Sequence, residues 1–550
     1  MPAPLTRLTP LRHLAGLARP RVPAPGAGAV ALLAGVASTA ATVVYLWFLS
    51  PHALSADEAH YWDWSRNLDW SYYSKGPLVA WLIRASCEVF GPLSVAATGD
   101  LTAAVRLPAA ACHAALLGAW YVLAARAFRS PALGLAAVLA AAALPLVRAG
   151  AVVMTIDPPF LVCWAWALVC VARAIETGRT RWWAAAATLC GVGVLAKYTM
   201  ALLPVAVAAF LLAHRRGEFR RPGFWLLAAG TALGWVPVLA WNAGHDWVTF
   251  RHVFGQVGVR KENAGSGVPG FLIGQLGMLF AFWMVAFATA GWRFRPVRGA
   301  DPAVALLWWA SVPVWLFFGA ASIVKSGQPN WPAPAYVGGI VLAVAWTREQ
   351  LAARPRLTSA CLGASTLLAV GAIAVQHFPG PVRPAIAAVS GPPSATEPYP
   401  VRRLDLTARL TGWRELASEI DAVRARVRTE TGAEPVLAGT HWTLPGQLGF
   451  YCAGHPRAHA VGVANRSDRY SQYDVWHPNP AADAQEFLGR TFVIVGDIGA
   501  DVAAAFEWVE PPMQVVVAPD GVPVAGWAVW VCHGFRGFAR VSPPGTGSLY

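Results

Sequence analysis

The stretch SADEAHYWDWSRNLDWSYYSKGPL, Ser55 to Leu78, gathers Asp57, Glu58, His60, Asp63, Asp69 and Lys75 among six Tyr and Trp side chains. It directly follows an apolar run, Gly26 to Ser50, long enough to cross ~30 Å of hydrocarbon as a helix. A dense set of ionisable groups at the exit of a membrane span is expensive unless it has work to do. The rest of the chain supplies the setting.

Outward from this stretch the sequence is apolar. Of its 550 residues, 56% are hydrophobic and only 13% charged, about half the charge fraction of a soluble domain. Apolar windows near 26–50, 105–125, 131–152, 159–175, 182–197, 199–213, 223–242, 271–292, 303–324, 332–347 and 357–376 predict about eleven transmembrane helices. The fold class is therefore mainly α and polytopic. The first run exceeds the ~7 to 15 residue core of a cleavable signal, so it is expected to stay in the membrane with Met1 in the cytoplasm.

The net charge of +14 could point to nucleic acid, but its placement excludes that class. The basic clusters, Arg7 to Arg21, Arg126 and Arg129, Arg173 to Arg181, Arg215 to Arg221, Arg293 to Arg298 and Arg348 to Arg356, fall in short loops on one side of the predicted spans. This is the positive-inside pattern. The opposite loops, 51–104, 153–158, 197–199, 243–270 and 325–331, hold Asp57, Glu58, Asp63, Asp69, Glu88, Asp100, Asp157, Asp246 and Glu262. Groups able to do acid–base chemistry thus collect on the outer face. Pro77 to Leu93 has near-helical apolar spacing and is expected to lie on the membrane surface, an extra short span being the other reading.

Composition changes after His377. The domain plan is a membrane part over 1–376, a Pro-rich linker over 377–400 and a small α/β domain over 401–550 on the outer face, which holds fifteen of the 29 acidic residues. There TGWRELASEIDAVRARVRTE predicts an amphipathic helix, and EPVLAG, TFVIVGD and MQVVVAPDG predict strands. Among the eight cysteines no C-x-x-C pair occurs. Cys452 and Cys532 would be free to form a disulfide if exported, or to stay as buried thiols.

Within the opening stretch Asp57, Glu58 and His60 share one turn if helical, with Tyr73 and its aromatic neighbours offering a sugar-stacking surface. Crowding of carboxylates and His60 leaves a divalent metal open, and no cofactor is otherwise required. Lys75 is either a snorkelling lysine or a point charge for a phosphate. Asp157 in TIDPPF either caps the helix that Pro158 begins or faces a site. Lys197, a full charge between two apolar runs, reads as functional. Lys325, Gln328, Asn330 and Trp331 in KSGQPNWPAPAY sit at a Pro-broken junction where polar groups must face a cavity.

Taken in order, SADEAHYWDWSRNLDWSYYSKGPLVAWLIR, RLPAA, TIDPPF, GVGVLAKYT and KSGQPNWPAPAY resemble the bacterial glycosyltransferase family 39 proteins, the dolichyl-phosphate-mannose protein mannosyltransferase-like group, with the aminoarabinose lipid A transferase in the same GT-C superfamily. NRSDRYSQYDVW, Asn465 to Trp476, looks like a recurring C-terminal segment of one bacterial branch. The resemblance implies transfer of a sugar from a polyprenyl-phosphate donor to a glycolipid, polysaccharide or protein on the outer face of the bacterial inner membrane, with inversion. It implies Asp57 as catalytic carboxylate with Glu58 beside it, Lys75 on the lipid phosphate, Arg106 and Lys197 as further phosphate contacts, and Asp157 as the second acidic loop residue. Ser74 and Gly76 depart from the aminoarabinose enzyme, so its sugar is not carried over. The rival class is a transporter or flippase of a lipid-linked or anionic substrate, which predicts repeat symmetry and charges at the bilayer midplane; the hydropathy pattern has neither.

Overall fold

The computed structural model describes residues 26–257, 267–297, 299–324, 327–465 and 469–539. The N-terminal basic head, Glu262, Arg298 and Lys325 lie outside them. A helix covers every one of the eleven predicted spans. Among the described residues eight helices are long and apolar enough to cross a membrane, or nine if one bent pair counts as a single span. The chain is a multi-pass membrane protein.

Three differences from the sequence reading have local causes. The span expected over 131–152 is two helices, Pro131–Ala142 and Pro145–Val152, bent by 70°. Pro145 opens the second, and Leu144 before it is extended at ψ 127, because the proline ring crowds a helical residue ahead of it. The surface helix expected over 77–93 runs on to Thr98, and its 21 residues have the length and composition of a span. Helices Thr180–Ala196 and Tyr198–His214 are too short to count as spans by that test, because Lys197 between them is extended at φ −149, ψ 126.

The predicted linker contains a short helix, Arg383–Ser390. Beyond it lies a six-stranded sheet, β1 Val436–Gly439, β2 Ala458–Ala460, β3 Phe492–Val495, β4 Phe506–Val509, β5 Met513–Val517 and β6 Ala525–Phe535. β1 pairs in parallel with β2 and β3, β3 is antiparallel to β6, and β4 and β5 pair Cys532–Phe535 and Ala525–Val529 of β6. The helix Trp413–Thr431 covers one face through Leu416, Ile420 and Val427 against Val493, Val495 and Val531. Phe492, Ile494, Phe506 and Phe535 fill the other. Cys452 and Cys532 are both buried and free, so no disulfide joins them.

The sheet module sits on the opening stretch. Ser55 starts the helix Ala56–Arg66 with a capping box, its Oγ accepting from the Glu58 amide, as Ser-x-x-Glu before an aromatic run predicts. On this helix lies Thr443–Tyr451, whose Gly446 approaches so closely that an added Cβ would stand 2.9 Å from the Ala59 carbonyl carbon and the His60 nitrogen. Gln447 donates to the Leu54 carbonyl at 2.9 Å, and Arg66 donates to the His455 carbonyl at 2.7 Å. Arg414 reaches across to Asp100 at 2.9 Å.

Candidate active site

Two adjacent carboxylates on the helix Ala56–Arg66 have opposite fates. Glu58 is fully buried. It accepts from Arg106 Nε and Nη2, each at 2.9 Å, from the Met154 amide at 2.9 Å and from the Ser55 amide at 2.8 Å. Arg106 also donates to the carbonyls of His52 and Ala53. Its donors are committed to holding the Ser50–Glu58 turn, and Glu58 closes that frame.

Asp57 instead opens onto a cavity of about 1590 Å³ between the membrane helices and the sheet module. The carboxylate is exposed to that space yet lies deep in the molecule. The surrounding protein raises its pKa above the usual carboxylate range; Lys75 opposes that rise, and Glu58 adds to it. The cavity is lined both by apolar side chains, among them Leu146, Val153 and Met278, and by polar ones, among them Arg402, Arg409 and His441.

Lys75 stands on a turn closed by the Tyr72 amide on the Lys75 carbonyl at 3.1 Å. The loop before it is pinned by Trp241 Nε1 on Asp69 at 2.7 Å and Thr249 Oγ1 on the Tyr72 carbonyl at 3.0 Å. Gly76 is required at the next position: a Cβ there would fall 2.2 Å from the Leu195 carbonyl oxygen. Burial and the neighbouring Lys197 ammonium bring the Lys75 pKa down to about 8, against the pull of Asp57 and Asp157.

Asp157 caps nothing. The helix begins at Asp157 itself and no side chain caps it. Its carboxylate accepts from Lys197 Nζ at 2.6 Å and from Asn330 Nδ2 at 2.6 Å. Three of the sequence motifs therefore meet through this one side chain, and they meet beside Lys75.

The remaining predicted residues are placed as follows. His60 is buried against Trp64, Trp442 and Tyr473 at 4.8, 5.4 and 5.0 Å between ring centroids, and burial brings its pKa down to about 3. Tyr73 packs on His252 at 4.7 Å, Gln328 is exposed and Trp331 lies against Phe318. Among the described residues no group of three His, Cys, Asp or Glu side chains could hold a metal ion. Sequence reading passed over Arg469, Trp442, His252 and Gln472, all near this centre. The one available signal was the segment NRSDRYSQYDVW, which contains two of them.

The architecture, a bundle of apolar helices with an acidic loop helix at its end and a small sheet module over it, is the fold of the ArnT crystal structures. Residues 74–241 match the family model described as dolichyl-phosphate-mannose-protein mannosyltransferase. The crystal structure of ArnT from Cupriavidus metallidurans bound to undecaprenyl phosphate superposes with a TM-score of 0.59 at 19% identity, covering 90% of this chain and 97% of that one. Its apo form gives 0.56 at 18% identity over the same shares. A sequence relative is the lipid A galacturonosyltransferase RgtD of Rhizobium johnstonii, 29% identical over 299 residues, 52% of this chain and 59% of that protein. The matched region thus spans about six-tenths of that curated relative.

Proposed function

We propose that the chain is a glycosyltransferase that moves a sugar from a polyprenyl-phosphate donor to an amphiphilic cell-envelope acceptor, with inversion and with Asp57 as base. The observation that carries this reading is the position of Asp57, which opens on the large cavity while Lys75 is the strongest opposing charge near it.

In a single displacement Asp57 takes the proton of the acceptor hydroxyl as its oxygen attacks the anomeric carbon. The bond from that carbon to the phosphate oxygen breaks, and the electron pair leaves on the carrier phosphate, whose charge Lys75 holds. Lys197, fixed by Asp157, keeps a second cation behind Lys75. Glu58 and Arg106 act as positioning residues that hold the Asp57 helix. The mixed apolar and basic lining of the cavity suits an acceptor with an apolar tail and an anionic head. The transferred sugar is a hexose or pentose in class; the galacturonosyl group named for the Rhizobium protein belongs to the first.

The same reading gives the topology. The basic loops lie in the cytoplasm of the bacterial inner membrane, the N-terminus with them, and the domain 401–550 faces the periplasm beyond the linker 377–400. The undecaprenyl phosphate bound in the ArnT crystal structure fits a donor that arrives through the bilayer.

The decisive experiment incubates purified protein with radiolabelled polyprenyl-phosphate sugar and a membrane extract. Label should pass to a membrane acceptor with wild type and fall at least about a hundredfold with Asp57→Asn, the usual scale for losing general-base catalysis. Equal transfer by both would remove Asp57 as base.

A further inference from the structure

The two halves of the broken span serve different cavities. Pro145, Leu146 and Ala149 line the space onto which Asp57 opens, whereas residues from Ala132 to Ala143 line a second one. This second cavity holds about 390 Å³ between the helices Pro131–Ala142, Gly267–Arg293, Ala333–Ala353 and Pro355–His377. Leu133, Ala136, Ala140, Trp283, Val344 and Leu362 make its walls apolar. Thr347 and Thr366 also line it, but each hydroxyl donates within its own helix, to the Ala343 and Leu362 carbonyls at 2.8 Å. A groove with such walls suits hydrocarbon better than water.

Among the described residues one ionised side chain, Arg348, lines the groove. It is exposed, and its Nη1 donates to Ser130 Oγ at 3.3 Å, a neutral partner that also caps the helix Pro131–Ala142 by accepting from the Leu133 amide. Among the described residues Arg348 forms no ion pair, and the adjacent Glu349 is bound by Arg293 at 3.1 Å. The turn joining the two helices Ala333–Ala353 and Pro355–His377 adds Arg354 and Arg356, both exposed. The mouth is therefore cationic and the interior apolar. Along Pro131–Ala142 the lining runs from Ala132 to Ala143, about 16 Å at 1.5 Å per residue. That is close to one leaflet's share of ~30 Å of hydrocarbon. Arg348 lies about 22 Å beyond Ala333 along its helix, and just before Ala333 stands Asn330, which binds Asp157 in the centre. The cationic mouth thus opens at the membrane face opposite Asp57.

We propose that this groove holds an anionic phospholipid of the leaflet opposite the centre, with one acyl chain along Ala136 and Ala140 and the phosphate on Arg348. Each feature of the groove has its counterpart in that molecule. The chain fills a slot one leaflet deep, and the phosphate gives the guanidinium the anion that no carboxylate supplies. Arg354 and Arg356 favour a headgroup without a cation of its own, as basic pockets between membrane helices do. A polyprenyl carrier fits less well, because a phosphate held at Lys75 presents its charge on the other face.

The test uses the full chain in mild detergent, titrated separately with dioleoyl phosphatidylglycerol and dioleoyl phosphatidylcholine, with bound lipid counted by native mass spectrometry. The two lipids share their chains and differ in net charge. Wild type should hold one phosphatidylglycerol at least about fivefold more tightly than phosphatidylcholine, the scale of one basic residue near an anionic surface. Arg348→Gln should remove most of that preference while phosphatidylcholine still binds. Ala136→Phe, which fills the groove, should remove the tight site for both lipids. Arg215→Gln, in a basic loop outside the groove, should change neither, and thermal unfolding shows which variants are folded. Should Arg348→Gln not fold, Ala136→Phe decides, and a tight site retained there overturns the proposal. Equal affinity of wild type for the two lipids, a preference that survives Arg348→Gln, or an equal loss with Arg215→Gln would each overturn it as well. So would undecaprenyl phosphate displacing the bound phosphatidylglycerol from wild type, which would assign the groove to the carrier. Sugar transfer enters none of these readings, so the outcome is independent of the transferase reading above.

Discussion

Arg106 and Glu58 form a two-pronged buried ion pair, Nε to Oε1 and Nη2 to Oε2 both at 2.9 Å, with side chains 2% and 0% exposed. Removing one member leaves the other charge buried without its partner, which typically costs about 3–5 kcal/mol. Arg106→Leu should therefore lower the thermal midpoint of the detergent-solubilised protein sharply. Glu58→Leu with Arg106→Leu should be less harmful than the two single changes summed. A well-folded Arg106→Leu that fails only in donor binding would return Arg106 to the phosphate.

The pH dependence follows from two shifted groups of opposite kind. Asp57 has a pKa above the ordinary carboxylate range, so its base form is lost as pH falls through that raised value. Lys75 titrates at about 8, so its charge is present below that pH and lost above it. Transfer should rise on the acid side later than a normal carboxylate would allow and fall through about pH 8. Lys75→Arg should carry the alkaline limb upward, because a guanidinium keeps its proton. An alkaline limb unmoved by that change would detach it from Lys75.

Asp157 steadies two cations at once, bonding Lys197 directly and raising the Lys75 pKa through space. Asp157→Asn should loosen Lys197, raise the donor KM and move the alkaline limb to lower pH. Asn330→Ala removes a neutral partner of the same carboxylate and should raise KM without that shift. Kinetics at several pH values separate the two.

Gly76 has no room for a side chain against the Leu195 carbonyl. Gly76→Ala should force the turn away from the helix end that carries Lys197, at a cost of about 1–3 kcal/mol as for other overpacked sites. Donor binding should weaken more than the thermal midpoint falls. A variant with normal donor affinity would mean the turn relaxes without moving Lys75.

Much of this molecule could be read in advance because membrane solubility and helix starts are local properties. The apolar windows gave the helices, Ser55 and Glu58 gave the capping box, and three of six strands stood out by their β-branched runs. The break at Pro145 was missed because the apolar window runs straight through it, and β2 is only three residues long. Within the site the residue types were legible and the partners were not. Asp157 looked like a cap because its real partners, Lys197 and Asn330, lie far along the chain. Glu58 looked like the twin of Asp57 until its oxygens were traced to Arg106 and Met154. Arg469 carries no signal of its own in an arginine-rich chain.

The close contact of Gly446 with Ala59 and His60 also has a meaning in time. A ribosome delivers the Asp57 helix nearly four hundred residues before Gly446, which covers it. The proposed centre therefore stays unfinished while the chain is being inserted, and it is completed when the late-made module seats. A chain halted before Thr443 would occupy the membrane with its carboxylate and lysine in place but without the helix that covers them.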